Sequence, residues 1–317
     1  HQLGLFGVQI FFGLSGFLIT SRLISDEARR GKISIRSFYI RRAFRILPAS
    51  LVFLLTVGIL AWVGVLPISL GRWLSTLLFA ANYSTAEESW YLGHFWSLAV
   101  EEHFYFVWPL AFLLLANNRR RLFAAISIAF LVAVWRAADF KFRFTGTSMA
   151  VFWGRTDIQA DCIAWGVIVA LLHGTGGWQI QLHKILRQPI MPPILLAFLL
   201  GSLSIPNLDW KLSFFLLTVK AATIPMLILA VMVNKSGVSH LLLETTPFKL
   251  LGRLSYSIYL WQQLFLTWPS YISPSISTFQ TFPINLIGVL VCASLSMVYV
   301  ERPLIKLGHA LAKKSNT

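Results

Sequence analysis

The chain has 317 residues, of which 56% are hydrophobic and only 12% are charged, and its mean hydropathy is +0.70. A soluble globule of this composition would have too few polar side chains to cover its surface, so the composition excludes a soluble domain and indicates a protein embedded in lipid. The net charge of +15 would suggest nucleic-acid binding in a soluble protein, but here the Lys and Arg residues cluster between apolar runs, which indicates membrane topology and no nucleic-acid partner.

Long apolar segments recur along the whole chain. A helix needs about 20 apolar residues to cross a hydrocarbon core of about 30 Å. We predict nine spans, near residues 5–22, 47–66, 95–116, 122–138, 150–172, 190–206, 212–233, 254–270 and 284–300. No low-complexity linker or internal repeat divides the chain, so we predict a single domain over residues 1–317, an all-α polytopic bundle of transmembrane helices.

The basic residues between the spans predict the orientation. If the spans alternate in direction, one set of loops carries 20 of the 27 Lys and Arg residues and the opposite set carries four. The positive-inside rule makes the first set cytoplasmic, with residue 1 outside and the C-terminus inside. One further helix upstream would place both termini inside, so we expect that a first span is missing and that the full-length protein has ten.

The first basic loop leads into the second predicted span through FYIRRAFRILP (38–48). On a helix Arg41 and Arg45 share a face, and Arg42 lies close to Arg45. Guanidinium groups bind phosphates, and guanidinium and aromatic groups can stack on the flat base of a nucleotide. An acyl donor that carries a nucleotide would need both kinds of contact. The cluster also fits a juxtamembrane basic belt that contacts anionic lipid.

The segment FWSLAVEEHFYFVWPL (95–110) places Glu101 and Glu102 in a predicted span. A charge at the bilayer centre costs at least about 2.5 kcal/mol, so an intramembrane carboxylate is a functional candidate. On a helix Glu101 shares its face with three polar or aromatic side chains, Ser97, Tyr105 and Trp108. Glu102 is turned about 100° away from that face. The alternative interpretation places both carboxylates at the outer headgroup level.

Histidines in this region do not predict a metal site. His94 and His103 are typical of interfacial residues, and no spacing of His, Cys and Asp residues along the chain matches a set of metal ligands. We therefore predict neither a metal nor a bound cofactor.

A second polar segment, GRTDIQADCIAWG (154–166), opens another predicted span. Asp157 and Asp161 are one helical turn apart, and Arg155 is close enough to pair with either of them. A structural ion pair and a substrate-binding role for Gly154, Arg155 and Asp157 are both consistent with this pattern.

A third segment, GRLSYSIYLWQQ (252–263), carries small and aromatic residues and ends with Gln262 and Gln263. Paired amides in a span usually form hydrogen bonds across helices, and they can equally hold a sugar hydroxyl. Tyr256 and Gln262 are therefore candidates for either a substrate-binding or a structural role.

At these residues the chain resembles the acyltransferase 3 family, membrane O-acyltransferases that act on bacterial surface glycans and related small molecules. Six segments appear in the family's order: GVQIFFGLSGFLIT (7–20), FYIRRAFRILP (38–48), FWSLAVEEHFYFVWP (95–109), GRTDIQADCIAWG (154–166), LGRLSYSIYLWQQ (251–263) and VERPL (300–304). Together they cover the chain nearly end to end.

The resemblance implies about ten helices, a cytoplasmic acyl-CoA donor as co-substrate and an acceptor hydroxyl on a carbohydrate or another small molecule. It assigns the family's Arg-x-x-Arg element to Arg42 and Arg45, its glutamate to Glu101, and its Gly-Arg-x-Asp element to residues 154–157. It also implies a catalytic histidine in the first span, which we expect upstream of this sequence because His1 is too close to Gly7.

The sequence therefore predicts a membrane-embedded O-acyltransferase that transfers an acyl group, for example acetyl, from acyl-CoA to a hydroxyl. In this hypothesis Glu101 orients the histidine that acts as general base. The alternatives are a transporter or flippase of a glycan or lipid-linked intermediate, since intramembrane charges also mark substrate pathways, and a binding or sensor protein descended from the enzyme. The acceptor, the acyl chain and the oligomeric state are not predicted.

Overall fold

A computed structural model describes residues 2–84, 89–174, 176–205 and 210–314. Within these ranges the chain contains no strand, which confirms the all-α class. It forms fifteen α-helices: α1 (Gln2–Arg30), α2 (Ile35–Trp62), α3 (Leu70–Leu77), α4 (Trp90–Gly93), α5 (Phe95–Leu114), α6 (Asn118–Phe142), α7 (Met149–Gly154), α8 (Thr156–Gly174), α9 (Gly176–Leu186), α10 (Met191–Ser202), α11 (Trp210–Val233), α12 (Val238–Leu243), α13 (Thr246–Phe265), α14 (Ile284–Leu295) and α15 (Arg302–Lys314).

Six described helical segments are long and apolar enough to cross a membrane: Gly4–Arg30, Ile35–Trp62, Asn118–Phe142, Val151–Gly174, Phe214–Val233 and Ile284–Lys314. The pair Gly177–Leu186 and Met191–Ser202, bent by 78°, makes a seventh if it is one span. The prediction of nine spans was therefore too high by this measure.

The difference has a physical reason in each case. Helices α5 and α13 each have 20 residues, which is long enough to span, but polar side chains lower their hydropathy. They include Glu101 and Glu102 in α5, and Lys249, Arg253 and the two glutamines near the end of α13. The predicted span 190–206 is only the 12-residue α10, the second half of the bent pair.

The chain forms two compact units, each built from two separate stretches of sequence. Unit 1 comprises His1–Ile33 and Ser97–Glu244, and unit 2 comprises Ser34–Trp96 and Thr245–Thr317. The single domain over residues 1–317 stays a prediction, and each unit is described by itself below.

In unit 1, α8 is the central helix and packs against α1, α6 and α11. Glycines allow α1 and α8 to approach closely, because a Cβ atom at Gly16 would lie 2.1 Å from the carbonyl oxygen of Ile163, and one at Gly166 would lie 2.2 Å from that of Gly13. Small residues are the usual means of close helix contact in membranes. This crossing requires glycine on both helices.

Contacts along these helices give their relative directions within unit 1. Gly16 lies against Ile163, and the later Ile24 lies against Gly174, so α1 and α8 run in parallel. Helix α6 runs the opposite way, because its first turn contacts the last turns of α1 through Arg121 and Glu27. These directions agree with the alternation that the sequence predicts.

Unit 2 is organised around α2, which contacts α13 and α15. A Cβ atom at Gly308 of α15 would lie 2.5 Å from the Cβ atom of Phe44 in α2, so these two helices are also in close contact. Helix α13 packs against α14, and the segment from Ser296 to Glu301 forms a π-helical turn between α14 and α15.

Candidate active site

Glu101 is the most deeply buried carboxylate of the segment that the sequence singled out. It lies on α5 in unit 1 with 3% of its surface exposed. The hydroxyl of Ser15, on α1, donates a hydrogen bond to Glu101 Oε1 and lies 2.6 Å from the hydroxyl oxygen of Tyr105. A carboxylate held among hydroxyl groups can orient a proton donor that approaches it.

The helical face predicted for Glu101 is confirmed. Three residues predicted to share it are buried, Ser97, Tyr105 and Trp108. Glu102 is only half-buried. One turn beyond Tyr105, the indole of Trp108 donates a hydrogen bond of 2.9 Å to Thr20 Oγ1 of α1, so α5 runs beside α1 from Glu101 to Trp108.

Ser15 was missed by the sequence analysis. It lies inside the segment GVQIFFGLSGFLIT, between the glycines that bring α1 against α8. A serine on an apolar helix next to such a crossing is a signal of a polar contact with a neighbouring helix. The identity of that partner depends on which helix lies on the other side.

Arg155 is buried in a cluster of polar groups at the start of α8. Its guanidinium donates to Asp139 Oδ2 at 2.8 Å, to Thr145 Oγ1 at 2.6 Å and to both carboxylate oxygens of Asp157. Asp139 is 1% exposed, whereas the side chain of Asp157 is 35% exposed. The neighbouring Gly154 is buried.

Asp161 has a different partner from the one the sequence allowed. Arg155 pairs with Asp157 and Asp139, while Asp161 is paired with Arg136 of α6 at 2.8 Å, and both of these groups are buried. Arg136 donates further to the carbonyl oxygen of Ile158 at 2.9 Å. Buried charges in a membrane protein are tolerated when they are paired in this way, so this pair is structural.

His103 connects the Glu101 helix to the Arg155 cluster. Its Nδ1 lies 2.7 Å from Thr156 Oγ1, the residue between Arg155 and Asp157. The indole of Trp135 donates to Asp157 Oδ2 at 2.6 Å. The two polar segments of unit 1 that the sequence separated by about 50 residues therefore meet through the His103–Thr156 contact.

The basic cluster of α2 lies in unit 2. The guanidinium of Arg41 donates to Ser37 Oγ, and Ser37 in turn donates to the carbonyl oxygen of Ala312 at 3.1 Å. Arg42 is half-buried and Arg45 is exposed. Arg41 therefore has a structural partner, whereas Arg45 presents its guanidinium at the surface.

Tyr256 of α13 contacts α2 within unit 2. Its hydroxyl donates to the carbonyl oxygen of Ile46 at 2.8 Å and lies 2.7 Å from Ser50 Oγ. Ile46 and Ser50 lie on either side of Pro48, the proline inside α2. Of the two roles that the sequence left open for Tyr256, the geometry favours the structural one.

The paired amides at the end of α13 differ in their contacts. Gln263 Nε2 donates to the carbonyl oxygen of Trp90 at 2.6 Å, and the indole of Trp90 donates back to the carbonyl oxygen of Gln263 at 3.1 Å. This is the cross-element bonding expected of an amide in a span. Gln262 is half-buried.

His94 is buried in unit 2. Its ring contacts Phe53 edge-on at 5.2 Å, and Tyr259 donates a hydrogen bond of 2.9 Å to its carbonyl oxygen. Burial, together with the positive charge of Arg72, lowers the pKa of His94 from its ordinary value of 6.5 to about 3. The imidazole is therefore neutral at physiological pH.

Glu301, in the VERPL segment, is a second buried carboxylate with serine donors. It is 3% exposed, and both Ser257 and Ser296 donate to its Oε1. The sequence analysis gave it no role. Among the described residues, no group of three or more His, Cys, Asp or Glu side chains is arranged to hold a metal ion.

The fold and this site define a polytopic membrane protein with a carboxylate held by hydroxyl groups inside a helical unit. The model of the acyltransferase 3 family, described as an acyltransferase domain, matches residues 1–301. The chain belongs to this family.

The chain is also similar to individual proteins. The O-acetyltransferase OatA of Staphylococcus aureus strain NCTC 8325 / PS 47 is 27% identical over 337 residues, an alignment that covers 96% of this chain and 53% of OatA. The OatA of strain COL gives the same figures. The chain thus spans about half the length of the curated relatives it matches. No solved structure matches it.

Proposed function

We propose that this chain is the membrane domain of an O-acyltransferase, which transfers an acyl group, for example acetyl, from acyl-CoA to a hydroxyl of a sugar or another small or surface-glycan acceptor. Membership of the acyltransferase family supports the reaction class, and similarity to proteins named O-acetyltransferase supports the acyl group and the hydroxyl. The observation that carries the proposal is the buried Glu101 carboxylate in its hydroxyl environment.

In the proposed reaction the acceptor hydroxyl loses its proton to a general base and attacks the thioester carbon, and CoA leaves as the thiol. The family resemblance implies that the base is a histidine. Glu101 would orient that imidazole and stabilise the imidazolium that forms, as carboxylates do beside catalytic histidines. Ser15 and Tyr105 would keep the Glu101 carboxylate in position.

The donor is proposed to bind at the basic cluster of α2. The exposed Arg45 and the half-buried Arg42 are supported as phosphate ligands by their position one helical turn apart. Arg41, which donates to Ser37, would contribute mainly to orienting this face of α2.

For the acceptor, the proposal favours Asp157 over Arg155. The guanidinium of Arg155 already donates hydrogen bonds to Asp139, Thr145 and Asp157. About one third of the Asp157 side chain is exposed. A carboxylate of this kind is an ordinary acceptor for a sugar hydroxyl. Gln262, in unit 2, is half-buried, and the substrate-binding role that the sequence left open for it stays a prediction.

The test is cleavage of the acyl-CoA thioester by the purified protein in lipid, measured as free thiol with and without acceptor membranes. An acyltransferase releases CoA in the presence of acceptor, and the acyl label appears on the acceptor. A transporter or flippase moves its substrate without cleaving the thioester. Absence of thiol release with every acceptor preparation that a related O-acetyltransferase modifies would contradict the proposal.

We further propose that the protein lies in the bacterial inner membrane with residue 1 outside and the C-terminus in the cytoplasm. The asymmetry of 20 basic residues against four supports this orientation. In a variant whose native Cys162 and Cys292 are replaced by alanine, a cysteine at Ser34 is expected to react with a membrane-impermeant maleimide only from the cytoplasmic side, and one at Ser275 only from outside. Labelling of Ser34 in intact cells would overturn the orientation.

A further inference from the structure

A pocket lined by basic and polar side chains lies at one end of unit 1, where α8 and α11 end. Its volume is about 630 Å³, which is in the range of small-molecule sites. Its polar lining consists of His173, His183, Arg187, Asn234, Lys235 and Ser236, and among the described residues no carboxylate lines it. None of these residues belongs to the candidate active site, and the sequence analysis assigned them no role.

The pocket has an apolar wall as well as a basic one. Three residues of the last turns of α11 form this wall, Leu229, Met232 and Val233. Helix α11 is one of the helices that are long and apolar enough to cross a membrane. The basic groups therefore lie just beyond the end of an apolar surface, on the side that the positive-inside rule assigns to the cytoplasm.

His173 and His183 form a hydrogen-bonded pair in the pocket. His173 Nδ1 and His183 Nε2 are 2.8 Å apart, and the ring centroids are 4.9 Å apart. If the two nitrogens lie on the line between the ring centres, the centroid separation equals the N–N distance plus the distance from each ring centre to its nitrogen. The observed separation is close to this sum, so the two rings point their nitrogens at each other. A metal ion needs about 2.0–2.1 Å to each nitrogen and does not fit between them. One ring nitrogen donates a hydrogen bond to the other instead.

The two full cations flank this pair and are exposed. Arg187 follows the last residue of α9, and Lys235 comes two residues after the end of α11. At these positions they also offset the negative ends of the helix dipoles. Compensation of the helix dipoles would explain the two cations, but it would not explain why they line a concave pocket. It would also not explain the buried amide of Asn234, which is 8% exposed and lines the same pocket.

We propose that this pocket binds the phosphate group of an amphiphilic ligand. The phosphate lies against Arg187, Lys235 and the histidine pair, and the apolar part of the ligand lies along α11. Basic pockets between transmembrane helices on the cytoplasmic side recognise phosphate headgroups in this way. Two sources carry this chemistry, an anionic phospholipid and the phosphates of an acyl-CoA. The proposal does not depend on the proposed transferase function.

The test compares three forms of the detergent-purified chain. The first is the wild type, the second is Arg187→Gln/Lys235→Gln, and the third is Arg120→Gln/Lys184→Gln, which removes the same charge from exposed residues of unit 1 outside the pocket. Binding of phosphatidylglycerol, with phosphatidylcholine as reference, is measured by native mass spectrometry. Binding of coenzyme A is measured by isothermal titration calorimetry.

Each cation near a membrane surface contributes about fivefold to binding of an anion, so the pocket variant is expected to lose at least about tenfold in affinity, and the matched variant little. Loss for phosphatidylglycerol alone identifies a lipid site, and loss for coenzyme A alone identifies a site for the phosphates of CoA that is separate from the cluster on α2. The charge-keeping variant Arg187→Lys/Lys235→Arg should retain most of the affinity. Equal losses in the two glutamine variants, or no loss in either, would overturn the proposal.

Discussion

The Ser15 hydroxyl donates a hydrogen bond to the Glu101 carboxylate, and this bond joins α1 to α5 inside unit 1. Ser15 is next to Gly16, the residue at which α1 touches α8. The close crossing of α1 and α8 therefore fixes the position from which Ser15 reaches Glu101. The carboxylate depends on the helix packing around it for its orientation.

The packing at this crossing can be tested with Gly16→Ala. The added methyl group would meet the carbonyl oxygen of Ile163 at 2.1 Å, so the helices must separate, and we expect a loss of about 1–3 kcal/mol of stability. The melting temperature in detergent, followed by near-ultraviolet circular dichroism, measures this. The control is Gly201→Ala on α10, where no atom lies within 4 Å of the added carbon. Equal melting temperatures for both variants would show that the crossing is not tight.

For the donor cluster, Arg42→Ala and Arg45→Ala are each expected to weaken acyl-CoA binding by about 1.5–3 kcal/mol, the usual value of a hydrogen bond to a charged group. Titration calorimetry of the purified protein measures the affinity. Arg36→Ala is the matched control, because Arg36 is exposed in the first turn of the same helix. Unchanged affinity in both cluster variants would contradict a donor site at this cluster. The alternative interpretation, a basic belt that contacts anionic lipid, would then hold.

The buried His94 makes stability depend on pH. The folded protein keeps this imidazole neutral down to a pKa of about 3, whereas the unfolded chain binds a proton below its ordinary pKa of about 6.5. Since the unfolded state then binds more protons, the free energy of unfolding should fall by up to about 1.4 kcal/mol per pH unit as the pH drops from 6.5 towards 3. His94→Gln should flatten this dependence of the melting temperature between pH 6.5 and 4. Identical pH profiles for the two proteins would contradict the assignment.

The parts of this fold that follow from helix periodicity could be predicted from sequence. The position of Glu101 on a face with Tyr105, away from Glu102, needs only the 100° step between residues. The parts that depend on which helices cross could not. Arg155 had two aspartates within reach in sequence, and its additional partner Asp139 comes from α6, a helix that only the tertiary packing brings next to it.

The number of spans also shows what sequence composition cannot establish. Composition identifies a span only where polar side chains are few, and α5 carries Glu101 and Glu102. Yet the bonds from α1 to Glu101 and Trp108 show that α5 runs beside a helix long and apolar enough to cross the membrane. Polar residues that serve a site lower the hydropathy of the helix that carries them.

The role of Glu101 is tested most directly by the turnover of the purified protein in lipid, measured as acceptor-dependent release of thiol from acyl-CoA. Glu101→Gln removes the charge that would steady the developing imidazolium, so we expect at least a hundredfold lower turnover, by the usual size of general acid–base effects of about 10²–10⁴, with acyl-CoA affinity little changed. Glu102→Gln, the matched control one residue along the same helix, should keep near-normal turnover. Near-normal turnover of Glu101→Gln, or loss of activity only in Glu102→Gln, would contradict the account.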